Sequence, residues 1–99
     1  MGIGSALFER MISDRGRTLN PNFTDYILPT VMDMPDLNDQ ETFLVEALHK
    51  DGPYGAKGLG EATMIPVAPA IANAVFHAVG IRFKDLPLEP DRIVQRFRS

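Results

Sequence analysis

The sequence has no cysteine at any of its 99 positions. A chain without cysteine has no disulfide framework, no thiolate metal site and no iron–sulfur ligation of its own. Disulfides persist in oxidising compartments, so the absence of cysteine fits a reducing one. We therefore expect a cytoplasmic protein.

The chain also lacks an excess of basic residues and a long apolar run. Ten lysine and arginine residues stand against 13 acidic ones, which gives a net charge of -3, whereas nucleic-acid-binding domains usually carry a basic patch or stripe. A membrane helix needs about 20 consecutive apolar residues, and residues 1–9 lack the charged and apolar regions of a signal peptide. From these absences we predict that the protein has no nucleic-acid partner and no membrane partner.

The length and the prolines predict one small domain with many irregular connections. A chain of 99 residues buries only about 60–70% of the surface that its unfolded form exposes, so its stability is marginal. Eight prolines are spread along the sequence, and they divide it into short elements. This pattern suits a chain that wraps around something larger.

Two segments have the apolar spacing of helices. Residues 3–12 place their apolar side chains on one face. The stronger prediction covers residues 69–79, because Pro69 suits a first helical turn and Gly80 suits the position just after a helix. A short terminal helix is predicted from Pro90 to Phe97.

Residues 42–48 are the best candidate strand. Their side chains alternate between two faces, and both faces are apolar enough to be partly covered. A brief extended stretch is also predicted at residues 81–85. The fold class predicted is α+β, a small sheet that includes residues 42–48 and is flanked by helices 3–12 and 69–79.

Residues 51–61 form a glycine-rich loop that carries Lys57 and ends at Glu61. Its four glycines indicate unusual backbone angles, and exposed N–H groups in such loops suit phosphate oxygens. The loop lacks the lysine–serine or lysine–threonine pair of a phosphate-binding P-loop, and Thr63 stands where the dinucleotide-binding fingerprint requires glycine. Spacing alone leaves a tight structural turn and a ligand-binding loop as alternatives, and it leaves the Glu61 carboxylate either to cap the next helix or to face a pocket.

The sequence does not favour a metal site built from this chain's own side chains. His49 and His77 are far apart and have no supporting ligand nearby. The acidic residues between positions 33 and 41 lack the spacing and the glycine of an EF-hand calcium loop, which favours a solvated loop. We therefore predict no metal ligand in the chain.

Several motifs along the chain resemble one family. The stretch from Gly52 to Glu61 resembles the last active-site motif of the large subunits of molybdenum hydroxylases, which include xanthine dehydrogenases and aldehyde oxidoreductases. The stretch that follows, from Pro66 to Ala74, is also similar to that family. Further matching motifs are Gly4-Ser5-Ala6-Leu7, Leu19-Asn20-Pro21-Asn22-Phe23, Asp25-Tyr26, Asp33-Met34-Pro35, Leu86-Pro87-Leu88 and Pro90-Asp91-Arg92-Ile93. The resemblance covers nearly the whole chain and implies the C-terminal part, here residues 1–99, of a larger molybdenum-cofactor-binding domain.

This resemblance implies a chemistry and a role for Glu61. In the family, an oxygen derived from water is added to a carbon of an aldehyde or N-heterocycle, and a glutamate at the end of this loop acts as general base. Glu61 matches that glutamate, and a carboxylate within hydrogen-bond reach of the attacking oxygen can take its proton. The family's loop also runs beside the molybdenum–molybdopterin cofactor, so the resemblance makes the backbone of Ala56, Lys57 and Gly58 the candidate cofactor contact.

The resemblance covers only the last hundred or so residues of subunits that run to several hundred. We therefore expect the isolated chain to be inactive and to need a larger molybdenum-binding chain that supplies the missing cofactor loops. The [2Fe-2S] and FAD groups are expected only in other modules or subunits. The alternative is a catalytically inactive structural or interaction module derived from the family.

Overall fold

The computed structural model describes residues 1–98 and confirms the α+β class. The described residues form three α-helices: α1 is Gly2–Leu7, α2 is Val67–Val79 and α3 is Pro90–Arg98. They also form one antiparallel pair of short strands, β1 Ser13–Asp14 and β2 Arg17–Thr18, with Ser13 opposite Thr18. Short 3-10 turns lie between β2 and α2, at Val31–Asp33, Leu37–Asp39, Pro53–Gly55 and Ala62–Met64.

The sheet is a tight hairpin whose turn is set by two residues with positive φ. Arg15 has φ of 46° and Gly16 has φ of 81°. Positive φ at both central residues is the mark of the two-residue turn that matches the twist of a hairpin. The sheet therefore lies at residues 13–18, and it is formed by local sequence alone.

Helix α2 agrees closely with its prediction. It begins two residues before the predicted start at Pro69, which is possible because proline is tolerated in the first helical turn. It ends at Gly80, whose φ is 73° and whose N–H donates to the carbonyl of Phe76 at 2.8 Å. The C-cap that the sequence predicts is confirmed.

The small core lies where α1, α2 and the segment before α3 meet. A Cβ atom on Gly2 would lie 2.6 Å from Cβ of Val67, so glycine is needed for α1 to approach α2. Ala6 is fully buried, and its carbonyl accepts a hydrogen bond of 2.7 Å from the N–H of Leu88. The two ends of the chain are thereby joined around Ala6.

The predicted helix 3–12 is wrong beyond its first turns. The N–H groups of Phe8 and Glu9 both donate to the carbonyl of Gly4, at 2.8 Å each, and the helix ends there. The carbonyl of Arg10 and the N–H of Ile12 bond instead to the side chain of Asn20, at 2.6 and 2.8 Å. A side chain distant in sequence therefore takes the backbone groups that would have continued the helix.

The strand predicted at residues 42–48 is wrong for the chain as it stands. Residues 42–48 belong to no strand, because no other described segment pairs with them. Residues 81–85 also form no strand, and the brief extended stretch predicted there stays a prediction. There Arg82 turns back onto α2, where its guanidinium donates to Asn73 at 2.6 Å and stacks 3.8 Å above the ring of Phe76.

The chain exposes far more surface than a compact protein of its size. Its accessible surface is 8828 Å², whereas a compact monomer of this mass exposes about 5600 Å². Its radius of gyration is 17.6 Å, against about 13 Å for a compact domain of this length. About 3200 Å² of surface is therefore available for contact with other polypeptide.

One helical stretch among the described residues, Ala62–Val79, is long and apolar enough by length and composition alone to cross a membrane. Its first residues form a 3-10 turn, and α2 itself has 13 residues. At 1.5 Å per residue that helix is about 20 Å long, shorter than the roughly 30 Å hydrocarbon layer. The absence of a membrane partner stays a prediction.

Candidate functional site

The first half of the glycine-rich loop is a closed turn held by its own backbone. The N–H of Gly55 donates to the carbonyl of Gly52 at 2.9 Å, and the N–H of Ala56 donates to the carbonyl of Pro53 at 3.0 Å. The N–H of His49 donates to the carbonyl of Gly55 at 2.9 Å and closes the turn. Residues 49–56 therefore form one compact unit.

Two of the four glycines are required by this turn. A Cβ atom on Gly52 would overlap the carbonyl oxygen of Ala56. Gly55 has φ of 79°, and a Cβ atom there would lie 2.8 Å from the side chain of Leu48. The structural-turn alternative is therefore correct for the first half of the loop, where even Tyr54 is held at φ of 55°.

His49 supports this turn rather than a metal site. Its Nδ1 atom accepts a hydrogen bond of 3.2 Å from the N–H of Asp51. Within residues 1–98, no three His, Asp or Glu side chains are grouped so as to hold a metal ion.

The second half of the loop, residues 57–61, is open. A Cβ atom on Gly58 or Gly60 would meet nothing within 4 Å. The N–H groups of residues 57–61 donate to no group in the described part of the chain. The side chains of Lys57 and Glu61 are exposed and have no partner among residues 1–98. This half of the loop therefore exposes two glycines, unbonded backbone N–H groups and two opposite charges, all of them accessible to another molecule.

Glu61 lies at the junction between the open loop and the helical stretch. It is the N-cap of the turn Ala62–Met64, and its carbonyl accepts the N–H of Met64 at 2.9 Å. Its side chain makes no capping hydrogen bond. The helix-capping alternative for this carboxylate is therefore wrong, and the carboxylate is free to meet another group.

The four predicted site residues lie together on this loop but do not enclose a pocket. Ala56 belongs to the closed turn and has used its N–H there, while Lys57, Gly58 and Glu61 lie in the open part. The larger groove in the described part of the chain is lined by other residues, between residues 82–85 and α3. Any enclosed site at Glu61 would need walls from other polypeptide.

The acidic segment of residues 33–41 caps short turns. The carboxylate of Asp33 accepts the backbone N–H of Thr30 at 2.7 Å, and that of Asp36 accepts the N–H of Asn38 at 2.9 Å. The backbone and hydroxyl hydrogen bonds from Thr30 lower the pKa of Asp33 below its ordinary value. This arrangement agrees with the solvated loop that the sequence favours.

Three contacts outside the glycine-rich loop are absent from the sequence prediction. Asn20, which is only 5% exposed, bridges the base of the hairpin. Arg10 forms an ion pair of 2.9 Å with Glu89, 79 positions away. The hydroxyl of Tyr26 donates to Glu9 at 2.8 Å, and this bond to a carboxylate is the main cause that raises the pKa of Tyr26. In the sequence, Asn20 followed by proline indicates only a turn. The Arg10–Glu89 and Tyr26–Glu9 contacts have no local sequence signal that would predict them.

Comparison with known proteins shows which family the sequence of this chain resembles. A family model described as a molybdopterin cofactor-binding domain matches residues 1–35. The xanthine dehydrogenase molybdenum-binding subunit of Escherichia coli O157:H7 is 50% identical over 99 residues, which are 98% of this chain and 13% of that subunit.

Two further relatives have other names. The 6-hydroxypseudooxynicotine dehydrogenase complex subunit gamma of Paenarthrobacter nicotinovorans is 38% identical over 96% of this chain and 12% of its own length. The aldehyde oxidoreductase molybdenum-binding subunit of Escherichia coli (strain K12) is 37% identical over 97% of this chain and 13% of its own length. The chain therefore spans about one eighth of the length of these three relatives.

Proposed function

Because the chain belongs to the family of the molybdenum-binding subunits of xanthine dehydrogenases and aldehyde oxidoreductases, we propose that it acts as the C-terminal part of such a subunit's cofactor-binding domain. In the complete assembly it contributes to the oxidative hydroxylation of a carbon of an aldehyde or N-heterocycle, with water as the oxygen source. Its own contribution is the general base, Glu61.

The observation that carries this proposal is the contrast between the two halves of the glycine-rich loop. Gly52 and Gly55 are explained by contacts within the chain. Gly58 and Gly60 have no such explanation, because ordinary side chains would fit there. Glycines that a chain does not need for its own packing are expected where another group approaches its backbone closely. Glu61 follows them directly.

The donor set of residues 57–61 fits an oxygen-rich, anionic cofactor. Consecutive N–H groups in a loop suit phosphate and other anionic oxygens, and Lys57 adds a positive charge. The residues that would hold an edge of the molybdenum–molybdopterin cofactor are therefore Lys57 and Gly58, by their backbone N–H groups. Ala56 would contribute through its position, since its N–H is already bonded to Pro53.

The molybdenum cofactor, when bound, supplies the two-electron oxidation of the substrate carbon. The net change is the replacement of one hydrogen on carbon by a hydroxyl from water, with two electrons and two protons released. A carboxylate oxygen of Glu61 accepts a proton from the water-derived oxygen as that oxygen attacks the carbon. Since Glu61 has no competing partner within residues 1–98, its carboxylate is available for this transfer.

The proposal requires a larger molybdenum-binding chain. The chain spans 12 to 13% of its relatives, so most of the cofactor's surroundings must come from other polypeptide. We expect the iron–sulfur and flavin groups in other modules or subunits; for the cluster, this chain has no cysteine ligand to offer. We place the assembly in the cytoplasm on the same compositional ground.

The second candidate function is an inactive structural or interaction module. The large exposed surface favours it, because that surface would serve binding whether or not the assembly turns over. It differs from the first in one respect: Glu61 would have no role in chemistry.

The test is Glu61→Gln in the assembly purified with its larger chain. Removal of a general base typically lowers the rate by about 10²–10⁴-fold, and we expect that loss of turnover with molybdenum and pterin content unchanged. The matched control is Asp39→Asn, which alters another exposed carboxylate whose side chain has no partner in the described residues. Unchanged turnover in Glu61→Gln would remove Glu61 as the base and favour the inactive module.

A further inference from the structure

Residues 41–48 have the composition of a strand in the middle of a sheet. Phe43, Val45 and Ala47 share one face of an extended chain. Thr42, Leu44, Glu46 and Leu48 share the other, which is apolar apart from Thr42 and Glu46. Strands covered on both faces read as nearly continuous apolar runs. The segment contains neither proline nor lysine, the residues that commonly protect exposed edges from pairing.

In the chain alone this segment has no partner. Phe43 is 75% exposed, Leu44 is 89% exposed and Val45 is 84% exposed. Of the N–H groups of residues 41–48, only that of Ala47 donates to another described group, the carbonyl of Val45 at 3.1 Å. Three consecutive apolar side chains and a row of backbone donors are therefore left to water.

The closed turn of residues 49–56 fixes where the segment ends. The His49 to Gly55 hydrogen bond and the contact of Leu48 with Gly55 join the segment to the start of the loop. A partner that holds residues 41–48 therefore also positions the closed turn of residues 49–56, the first half of the glycine-rich loop. At about 3.3 Å per residue the segment would span roughly 26 Å, an ordinary strand length.

The exposed surface is large enough for a protein partner. A standard protein–protein interface buries about 800 Å² on each side, and the chain exposes about 3200 Å² more than a compact protein of its mass. A second copy of the chain paired along this segment would cover one edge and leave the other open. The related subunit has enough further polypeptide to cover both edges of the segment, because the matched part is only 13% of its length.

We propose that residues 41–48 form an inner strand of a sheet whose two neighbouring strands belong to the larger molybdenum-binding chain. This inference rests on the proposed function and adds to it the surface through which assembly occurs. Backbone hydrogen bonds on both edges provide affinity, and both faces are covered by the same partner. Assembly through this strand then positions the closed turn from which residues 57–61 continue.

Proline substitutions test both edges of the strand. Successive N–H groups of a strand point to opposite neighbours, so Leu44→Pro removes a donor to one neighbour and Val45→Pro removes a donor to the other. Both N–H groups are unbonded in the chain alone, so neither substitution breaks a hydrogen bond of its own fold. Leu44→Ile and Val45→Ile are the matched controls, because they keep the N–H and the apolar character.

The measurement is the amount of larger chain recovered with each tagged variant purified from the native host. We expect at least a tenfold loss for each proline variant and near-normal recovery for each isoleucine variant. Loss with only one proline would overturn the inner strand, because a single edge would then be paired. Normal recovery with both prolines, in a complex that contains molybdenum, would overturn the strand and leave the proposed function standing. If the unsubstituted chain recovers no larger chain, both proposals fail together.

Discussion

Asn20 offers the sharpest test of how the chain holds itself together. Asn20 is buried, with only 5% of its surface exposed, and its side chain makes two hydrogen bonds at the base of the hairpin. Its Oδ1 accepts the N–H of Ile12 at 2.8 Å, and its Nδ2 donates to the carbonyl of Arg10 at 2.6 Å. Asn20→Ala removes both bonds at once.

The expected cost follows from these two bonds. Each contributes about 0.5–1.5 kcal/mol net, so the hairpin base should lose about 1–3 kcal/mol. Opening of the hairpin should then be about 5- to 150-fold more frequent, since each 1.4 kcal/mol is a factor of ten. Hydrogen exchange reports local opening directly, and the amides of Ile12 and Leu19 are the ones to follow, because both are bonded across the hairpin base.

The control is Asn20→Asp. It keeps an acceptor for the N–H of Ile12 and removes only the donor to Arg10, so exchange should accelerate less than in Asn20→Ala. Unchanged exchange of Ile12 and Leu19 in Asn20→Ala would refute the assignment of Asn20 as the bridge that ends α1 and closes the hairpin.

Two other predictions concern pH and the loop. In a Tyr54→Phe background, the remaining phenol, Tyr26, should deprotonate above its ordinary pKa of 10.0. The stability that its bond to Glu9 contributes is present below pH 10 and is lost as the pH rises through the raised pKa. Glu9→Gln should move the spectrophotometric titration of Tyr26 back toward pH 10. Gly55→Ala should destabilise the free chain by about 1 kcal/mol or more because of its positive φ, whereas Gly58→Ala should leave the free chain's melting unchanged and lower the pterin content of the assembly. Equal pterin content in Gly58→Ala and the unsubstituted assembly would contradict the close approach of the cofactor at Gly58.

Local signals predicted the elements that depend on local sequence. Pro69 and Gly80 mark α2 because a first-turn proline and a left-handed cap act within a few residues, and the structure has the cap at Gly80. Helix 3–12 was predicted too long because its end depends on Asn20, a side chain from beyond the hairpin. No periodicity within residues 3–12 contains that information.

The strand prediction for residues 42–48 failed for a different reason. Alternation of side chains indicates the faces of a strand, but a strand exists only when neighbours take its backbone hydrogen bonds. No described segment of the chain does so. The contrast between an apolar pattern and an exposed, unpaired segment is what leads to the proposed pairing with a larger chain.

The candidate site was predictable in part. The family motif indicated the loop and Glu61, whose role stays a prediction, and the comparisons confirm the family. Spacing could not distinguish glycines that close a turn from glycines that face outward. That distinction depends on Leu48 and Ala56, which contact Gly55 and Gly52 and leave Gly58 and Gly60 open.

The central claim is that this chain works as part of a molybdenum-cofactor assembly. The most direct test is to purify the tagged chain from its native host and to measure molybdenum, pterin and co-purifying polypeptides in one sample. The account predicts that molybdenum, pterin and a larger chain are recovered together with it. Recovery of the chain alone, without metal or pterin, would contradict the account.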